Sequence, residues 1–396
     1  MLLKKYSILL FLSLNITISY LVLGNETNGL LVSMLALSPI VMLFSKKNYG
    51  PTDKAMIVLV VLMFLFGYFK PGFRLISFIY SLCFVTSFIC LRDSFLKGYW
   101  PLQKMQRILR YIIYAYAIVL VLQQLCILAG VTPINQLFGF SNKWKLPSLA
   151  QEPSHMAIFV FFFMYSYMLI SERLFGRKYC LKDAKDEKYV WASYFWCMLS
   201  CQSTSALFYC FLPFLRFFSL KNILKYSVIM VVAATGLVSI LSDTPAFHRV
   251  ELFTEAFLTL DINKIDVADH SAAYRMFPLF NFLENFDILD LDLWTGHGLD
   301  FGKKTFNAFA LWVSDDVSYD GEINIGGFFG YILDYGLLCF LMLCYAIKKS
   351  IGRLEEPWLV VFYICLNMFI GFNMQLFWSS TVLLTYLSIY KNKKPC

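Results

Sequence analysis

The sequence carries little charge for its length. Of 396 residues, 15% are charged and 59% are hydrophobic, and the mean hydropathy is +0.63. A soluble domain carries about 25% charged and about 45–50% apolar residues. This composition therefore excludes an ordinary soluble protein and a disordered chain, and it predicts a membrane protein with several spans.

Cysteine motifs and histidine clusters are also missing. The 11 cysteines include no Cys-x-x-Cys pair, and none lies in the long polar segment 243–322. The four histidines include no pair at the i,i+4 spacing that metal-binding helices use. We therefore expect neither a disulfide framework nor a metal site, and we interpret the cysteines as small core residues.

Long apolar runs, in contrast, are abundant, and a run of about 20 residues can cross the hydrocarbon core of a membrane as a helix. The strong candidates are 6–23, 29–45, 55–69, 72–91, 109–131, 155–172, 223–242, 325–347, 357–373 and 375–390. The stretch 189–217 is apolar except for Gln202-Ser203-Thr204-Ser205 at its centre. It predicts either one long helix or two short ones.

The distribution of lysine and arginine distinguishes these alternatives, because basic residues stay in short cytoplasmic connections. Of the 34 basic residues, 25 fall in clusters between the apolar runs or at the chain ends. If 189–217 crosses twice and turns at Gln202–Ser205, all of these clusters face the same side. We therefore predict an all-α helical bundle of about 12 transmembrane segments, two of them short, with both termini in the cytoplasm.

The chain then divides into three regions: residues 1–242 with the first nine segments, the outer loop 243–322, and residues 323–396 with the last three segments and a cytoplasmic tail. The outer loop contains 15 acidic and 5 basic residues. Its many aromatic residues predict short amphipathic helices at the membrane interface. The net charge of +8 thus reflects topology, and we expect no nucleic-acid partner.

Five short motifs occupy the outer side in a defined order. They are Glu152-Pro153-Ser154, the polar break Gln202–Ser205, His270-Ser-Ala-Ala-Tyr-Arg275, Gly296-His297-Gly298, and Gly326-Gly-Phe-Phe-Gly-Tyr-Ile-Leu-Asp-Tyr-Gly336. In their order and placement, over roughly residues 109–346, they resemble the Wzy-type polymerases of bacterial surface polysaccharides and the related O-antigen ligases. Ligases usually carry a His-Asn pair before the span that follows the loop, whereas this chain has Glu322-Ile-Asn324-Ile. The difference favours the polymerase.

The resemblance implies a glycosyltransferase of the bacterial inner membrane that joins oligosaccharide units carried on a polyprenyl pyrophosphate. The leaving pyrophosphate requires fixed cations, for which Arg275 is the first candidate and Arg249 the second. Glu152 is the candidate general base, and His297 completes the catalytic set. The residues assigned to substrate binding are Arg249, His270, Gln202, Ser203, Asn324 and Asp334. No metal or other cofactor is expected, and the expected partners are the lipid-linked oligosaccharide, the bilayer and a chain-length regulator protein.

Structural roles compete with each of these assignments. Arg275 could snorkel to lipid headgroups, Arg249 could pair with nearby glutamates, and Glu152 could favour a helix start together with Pro153. Gly296 and Gly298 could form a simple turn, and Asp334 could hydrogen-bond to a neighbouring tyrosine. At the level of function, the alternatives are an O-antigen ligase and, in a different class, a flippase or secondary transporter for lipid-linked oligosaccharides.

Overall fold

Helices make up the regular structure of the described residues, and no strand occurs among them. The computed structural model describes residues 2–17, 28–45, 48–70, 73–135, 143–201, 206, 209–210, 212–217, 255, 258–259, 276, 279–280, 282–284, 286–298, 301, 327–352, 354, 356–368 and 370–390. The helices are α1 Leu2–Asn15, α2 Gly29–Ser45, α3 Pro51–Tyr68, α4 Leu75–Leu96, α5 Leu102–Leu128, α6 Pro153–Phe175, α7 Leu181–Asp186, α8 Lys188–Ser200, α9 Leu291–Thr295, α10 Gly327–Ile351, α11 Pro357–Asn367 and α12 Gln375–Ile389. A 3-10 helix covers Leu212–Arg216.

Five of these helices, α3, α4, α5, α6 and α10, are long and apolar enough to cross a membrane, and α2 and α11 are shorter apolar helices. The predicted spans between 29 and 172 coincide with α2 to α6, with ends shifted by a turn or two at most. Among the described residues, the prediction of an all-helical fold with helices long and apolar enough to span a membrane is thus confirmed. The predicted span 223–242 lies outside the described residues.

The centre of the bundle is α6. Of its most apolar 18-residue window, 89% is buried, against 33% for α5. On α5 the apolar side chains of Ile118, Leu125 and Leu128 are more than half exposed. A soluble protein does not leave such a stripe uncovered, and a lipid-facing helix does. The bundle therefore has a buried axis and an apolar outer surface.

The end of the bundle that includes the connections α2–α3, α4–α5, α6–α8 and α10–α11 is termed the basic end. Lys97 Nζ donates to Ser45 O at 3.1 Å, and Trp100 Nε1 donates to Ser7 Oγ at 3.1 Å, so these connections meet. Arg216 joins Glu172 and Glu356 at 2.5 Å each. The connections predicted to face the cytoplasm thus lie together.

The opposite end carries α9 and is termed the α9 end. Here Thr17 N donates to Leu149 O at 2.9 Å, and Thr17 Oγ1 donates to Gln375 Oε1 at 3.0 Å. Lys70, after α3, pairs with Asp292 of α9. The connections predicted to face outward therefore meet at one end as well.

The chain that follows α7 starts at the basic end and has returned to the basic end by residues 212–217. Trp191, near the start of α8, packs against Phe214 and Phe217 with ring centroids 5.6 and 5.7 Å apart. Tyr194 Oη donates to Tyr209 O at 2.6 Å. The chain around 209–217 thus runs back along α8 to the basic end, where Arg216 forms its ion pairs.

Candidate functional site

Helix α10 is interrupted at Gly336, which has φ 83° and ψ 165°. This backbone conformation favours glycine because a side chain would be strained there. The sequence predicts one continuous span at 325–347, but the helix consists of two pieces, 327–335 and 337–351. An interrupted helix at membrane depth is usual where backbone lines a cavity or contacts other protein segments.

The turn after α9 fits into this interruption. A Cβ atom on Gly336 would lie 2.3 Å from Trp294 O, and one on Gly296, whose φ is 78°, would lie 2.4 Å from Asp334 O. Both glycines are therefore required by the close approach of two backbones, and each also has a positive φ. The Gly296-His297-Gly298 motif forms a turn, as expected, and the turn contacts a second glycine motif.

The interruption exposes carbonyl groups that the turn satisfies. His297 N donates to Leu333 O at 2.9 Å, and Gly298 N donates to Asp334 O at 3.1 Å. The last carbonyls of a helix have no intrahelical partner, so these two bonds cap the first piece of α10. They also fix the backbone of His297 relative to the bundle.

The side chain of His297 lies between an acidic and an aromatic residue. Its Nδ1 atom is 3.5 Å from Asp292 Oδ2, and its ring stacks on Phe301 with centroids 4.2 Å apart. The other oxygen of Asp292, Oδ1, pairs with Lys70 Nζ. Asp290 caps α9 by accepting a hydrogen bond from Asp292 N at 2.9 Å, and this bond holds Asp292 in place.

Asp292 is ionised over the ordinary pH range. The hydrogen bond from Lys70 is the main influence that lowers the pKa of its carboxyl group, against a smaller rise from burial. The nearby imidazole of His297 lowers this pKa further. A carboxylate held beside a histidine fixes the tautomer of the ring, which leaves Nε2 as the nitrogen that can accept a proton.

Residues on α9, α10 and the adjoining loop enclose a cleft of about 580 Å³, termed the α9 cleft. Its polar lining consists of Glu284, Asp287, Asp290, Asp292 and His297. Its apolar lining consists of Phe282, Phe286, Leu293, Phe301, Ile332 and Leu333. Within the described part of the chain, no cation pairs with Glu284, Asp287 or Asp290. The cleft thus offers hydrogen-bond acceptors beside aromatic rings.

Glu152 lies at the same end of the bundle, at the start of α6. It is the N-cap residue, with Pro153 in the first turn, and its Oε2 accepts a hydrogen bond from Ser154 Oγ at 3.2 Å. The side chain is half-buried. This is the helix-start geometry expected of Glu-Pro-Ser.

The loop before Glu152 is held by a buried polar network. Ser148 adopts a left-handed conformation, with φ 54°, and its N donates to Gln123 Oε1 at 2.9 Å. Its carbonyl accepts a hydrogen bond from Asn135 Nδ2 at 2.6 Å. Gln123 extends from α5, so this loop and Glu152 are anchored to a membrane-length helix.

The other predicted site residues divide into two groups. Asp334 is described: it is half-buried on the first piece of α10, and its carbonyl receives the bond from Gly298. The remaining six lie outside the described residues: Gln202, Ser203, Arg249, His270, Arg275 and Asn324. The structure thus brings His297 and Asp334 together and places Glu152 at the same end.

Sequence reasoning did not identify Asp292, Lys70 or Gln123. Two signals point to them in retrospect. Lys70 is a basic residue in a short connection predicted to face outward, against the usual rule. Gln123 is a polar residue inside a predicted span, and such residues are functional or structural by default. Asp292 had no comparable signal, because it is one of many acidic residues in its region.

No group of three or more metal-ligating side chains forms in the described part of the chain. Comparison of the chain with protein-family models, with curated proteins and with solved structures gives no match. The candidate function therefore rests on the residues and on the geometry of the α9 end.

Proposed function

We propose that this protein is a membrane glycosyltransferase that polymerises oligosaccharide units carried on polyprenyl pyrophosphate. In this proposal the basic end faces the bacterial cytoplasm, because short cytoplasmic connections retain lysine and arginine. The α9 end then faces outward. About 12 segments, including a double crossing by 189–217, place both termini in the cytoplasm. The observation that carries the proposal is the α9 cleft, with its Asp292–His297 pair.

The lining of the cleft suits the acceptor sugar. Ionised carboxylates accept hydrogen bonds from hydroxyl groups, and ligand sites commonly combine aromatic walls with a few polar groups. The cleft does not suit the pyrophosphate, because Glu284, Asp287 and Asp290 would repel a negatively charged group. We therefore propose that the two substrates bind at different positions. The acceptor sugar binds in the α9 cleft, and the lipid pyrophosphate binds beside the predicted cations Arg275 and Arg249.

The reaction forms one bond and breaks one. The acceptor hydroxyl oxygen attacks the anomeric carbon of the growing chain, the bond from that carbon to pyrophosphate breaks, and the lipid pyrophosphate leaves with the electron pair. His297 Nε2 accepts the hydroxyl proton while Asp292 stabilises the imidazolium that forms. Glu152 is the second candidate base. General base catalysis of this kind contributes about 10² to 10⁴ in rate.

The test uses a native host that lacks its own copy of the gene and carries a variant on a plasmid. With His297→Gln, we expect single repeat units at the cell surface and no ladder of longer glycans, because the proton acceptor is lost. Arg275→Ala is expected to give the same result, because the leaving group loses its counter-charge. His155→Gln is the matched control at the same end of the bundle, and it should keep the ladder.

The outcomes separate the alternatives. A normal ladder in His297→Gln cells would overturn the assignment of His297, and a normal ladder in the deletion strain would overturn the polymerase. If the deletion strain exports no repeat unit, the protein is a flippase. If it exports full-length polymer that is never attached to the lipid core, the protein is a ligase.

A further inference from the structure

Lys70 occupies an unusual position for a lysine in this chain. It follows the last turn of α3, where its backbone N donates to Gly67 O at 3.0 Å, and its carbonyl accepts from Phe73 N at 3.4 Å. The side chain is only 21% exposed. Its ammonium group reaches Asp292, which lies 222 residues later in the chain. A short, anchored connection between two apolar helices thus supplies a cation to the α9 cleft.

Lys70 and His297 bind opposite oxygens of one carboxylate. Lys70 Nζ pairs with Oδ1 of Asp292, and His297 Nδ1 is 3.5 Å from Oδ2. The ammonium group therefore restricts the rotation of the carboxylate that orients the imidazole. The three side chains come from two separate parts of the fold: Lys70 from the end of α3, and Asp292 and His297 from α9 and the turn after it.

We propose that Lys70 is a positioning residue that orients the Asp292–His297 pair. This inference rests on the proposed function, because it assigns Lys70 a role in the same reaction. It adds a residue that neither the resemblance nor the sequence motifs include.

The charges around His297 explain why such a cation is required. The acidic groups of the α9 cleft are Glu284, Asp287, Asp290 and Asp292. Like charges repel one another, so the first three carboxylates oppose the placement of the Asp292 carboxylate beside His297. The ammonium group of Lys70 pairs with Asp292 and offsets this repulsion.

The experiment compares two replacements of Lys70. Membranes from the complemented host are supplied with the lipid-linked repeat unit extracted from that host, and chain growth is measured against pH. With Lys70→Met, we expect the rate of chain growth to fall by about tenfold at every pH, because the Asp292 carboxylate no longer holds the imidazole of His297 in one orientation. Lys70→Arg keeps the charge, and it should retain most of the rate and the original profile.

Exchanging the charges of Lys70 and Asp292 distinguishes a positioning role of Lys70 from a purely structural link between α3 and α9. The double variant Lys70→Asp with Asp292→Lys restores an ion pair between α3 and α9 but places no carboxylate beside His297. We expect hydrogen exchange of the peptide 291–298 to remain slow, as in the wild type, while chain growth stays low. Recovery of wild-type chain growth in the double variant would overturn the proposal, and so would a wild-type rate of chain growth in Lys70→Met.

Failure of the proposed function and failure of the role of Lys70 give different experimental results. If wild-type membranes extend no glycan from the extracted repeat unit, while a membrane preparation from the parental host does, the proposed function fails. If wild-type membranes extend the glycan and Lys70→Met membranes extend it at the same rate, only the role of Lys70 fails. Slow exchange of 291–298 in Lys70→Arg verifies that the cleft is folded when the rates are compared.

Discussion

The carboxylates at the two ends of the bundle differ in their cationic partners. At the basic end, Asp53 pairs with Arg92 at 3.0 Å, and Glu172 and Glu356 share Arg216 at 2.5 Å. These side chains are mostly buried. At the α9 end, Asp292 pairs with Lys70, while Glu284, Asp287 and Asp290 line a cleft without a cationic partner among the described residues.

This difference indicates that the two ends of the bundle have different roles. A buried carboxylate that lacks a partner is costly, so the arginines of the basic end allow connections between helices to pack closely. Carboxylates that remain exposed keep the capacity to accept hydrogen bonds from a ligand. The basic end is therefore built for stability, and the α9 end keeps polar groups available at some cost in stability.

A substitution at Gly336, where α10 is interrupted, has the largest expected effect on chain growth. In Gly336→Ala, the new Cβ would lie 2.3 Å from Trp294 O, so the turn that carries His297 must move away from α10. A displacement of about 1 Å at a catalytic group can reduce the rate about 100-fold. We expect a loss of the glycan ladder in cells that carry Gly336→Ala, at an expression level equal to that of the wild type.

Gly98→Ala is the matched control for this substitution at the basic end. Gly98 also has a positive φ, of 73°, but a Cβ there would meet nothing within 4 Å. The substitution costs about 1–2 kcal/mol of conformational strain without a clash. Loss of the ladder in both variants would show that strain alone explains the result and that the contact with the turn after α9 does not matter.

Much of the helical framework is predictable from the sequence. The run 29–45 predicts α2 with its observed ends, and 155–172 predicts most of α6. Long apolar runs specify helices because each backbone group must be satisfied within the segment. The basic clusters also group the right connections, since the contacts of Lys97 and Arg216 bring these connections to one end.

The interruption at Gly336 and the partner of His297 are less predictable. A glycine in an apolar run is compatible with an unbroken helix, and only the approach of Trp294 and Gly296 distinguishes the two cases. Lys70 and Asp292 are 222 residues apart in the chain, and periodicity carries no information over such a distance. Local patterns therefore predict His297 as a candidate but not the cation that completes its surroundings.

Substitution of Arg216, the arginine that Glu172 and Glu356 share at the basic end, has the next largest expected effect, which is on thermal stability. Arg216→Met would leave Glu172 and Glu356 without their charge partner, and their side chains are only 11% and 16% exposed. Removal of one partner from a buried ion pair costs about 3–5 kcal/mol. We expect a clear fall in the thermal unfolding temperature in detergent, with unchanged chain growth per folded molecule at low temperature.

Arg177→Met is the matched control for Arg216→Met. Arg177 also pairs with a carboxylate at the basic end, Asp183 at 2.5 Å, but the Arg177 side chain is 51% exposed. Asp183 is itself only 7% exposed, yet it also accepts hydrogen bonds from Cys180 N and Cys180 Sγ. Water and salt screen a pair whose cation is exposed, so the unfolding temperature should fall less than in Arg216→Met. Equal destabilisation by the two substitutions would contradict the view that burial of the arginine determines the importance of these pairs.

The smallest expected effect is a response of the α9 end to acid. Because Lys70 lowers the pKa of Asp292, the pair stabilises the folded form at every pH above the usual carboxyl value of about 3.9. This contribution is lost only as the pH falls through the lowered pKa. Hydrogen exchange of the peptide 291–298, normalised to the intrinsic rate, should stay constant between about pH 5 and pH 8 and increase below about pH 4.

A peptide at the basic end serves as the comparison for the acid response of 291–298. Arg177 holds the pKa of Asp183 well below its usual range, so the peptide 177–187 should show the same kind of acid response. Lys70→Met should speed exchange of 291–298 at neutral pH and weaken its acid response, because only the imidazole of His297 then remains beside Asp292. The peptide 177–187 should keep its own response in that variant. If 291–298 exchanges as in the wild type without Lys70, the capping bonds to Leu333 and Asp334 alone hold the turn, and the ion pair adds nothing to its position.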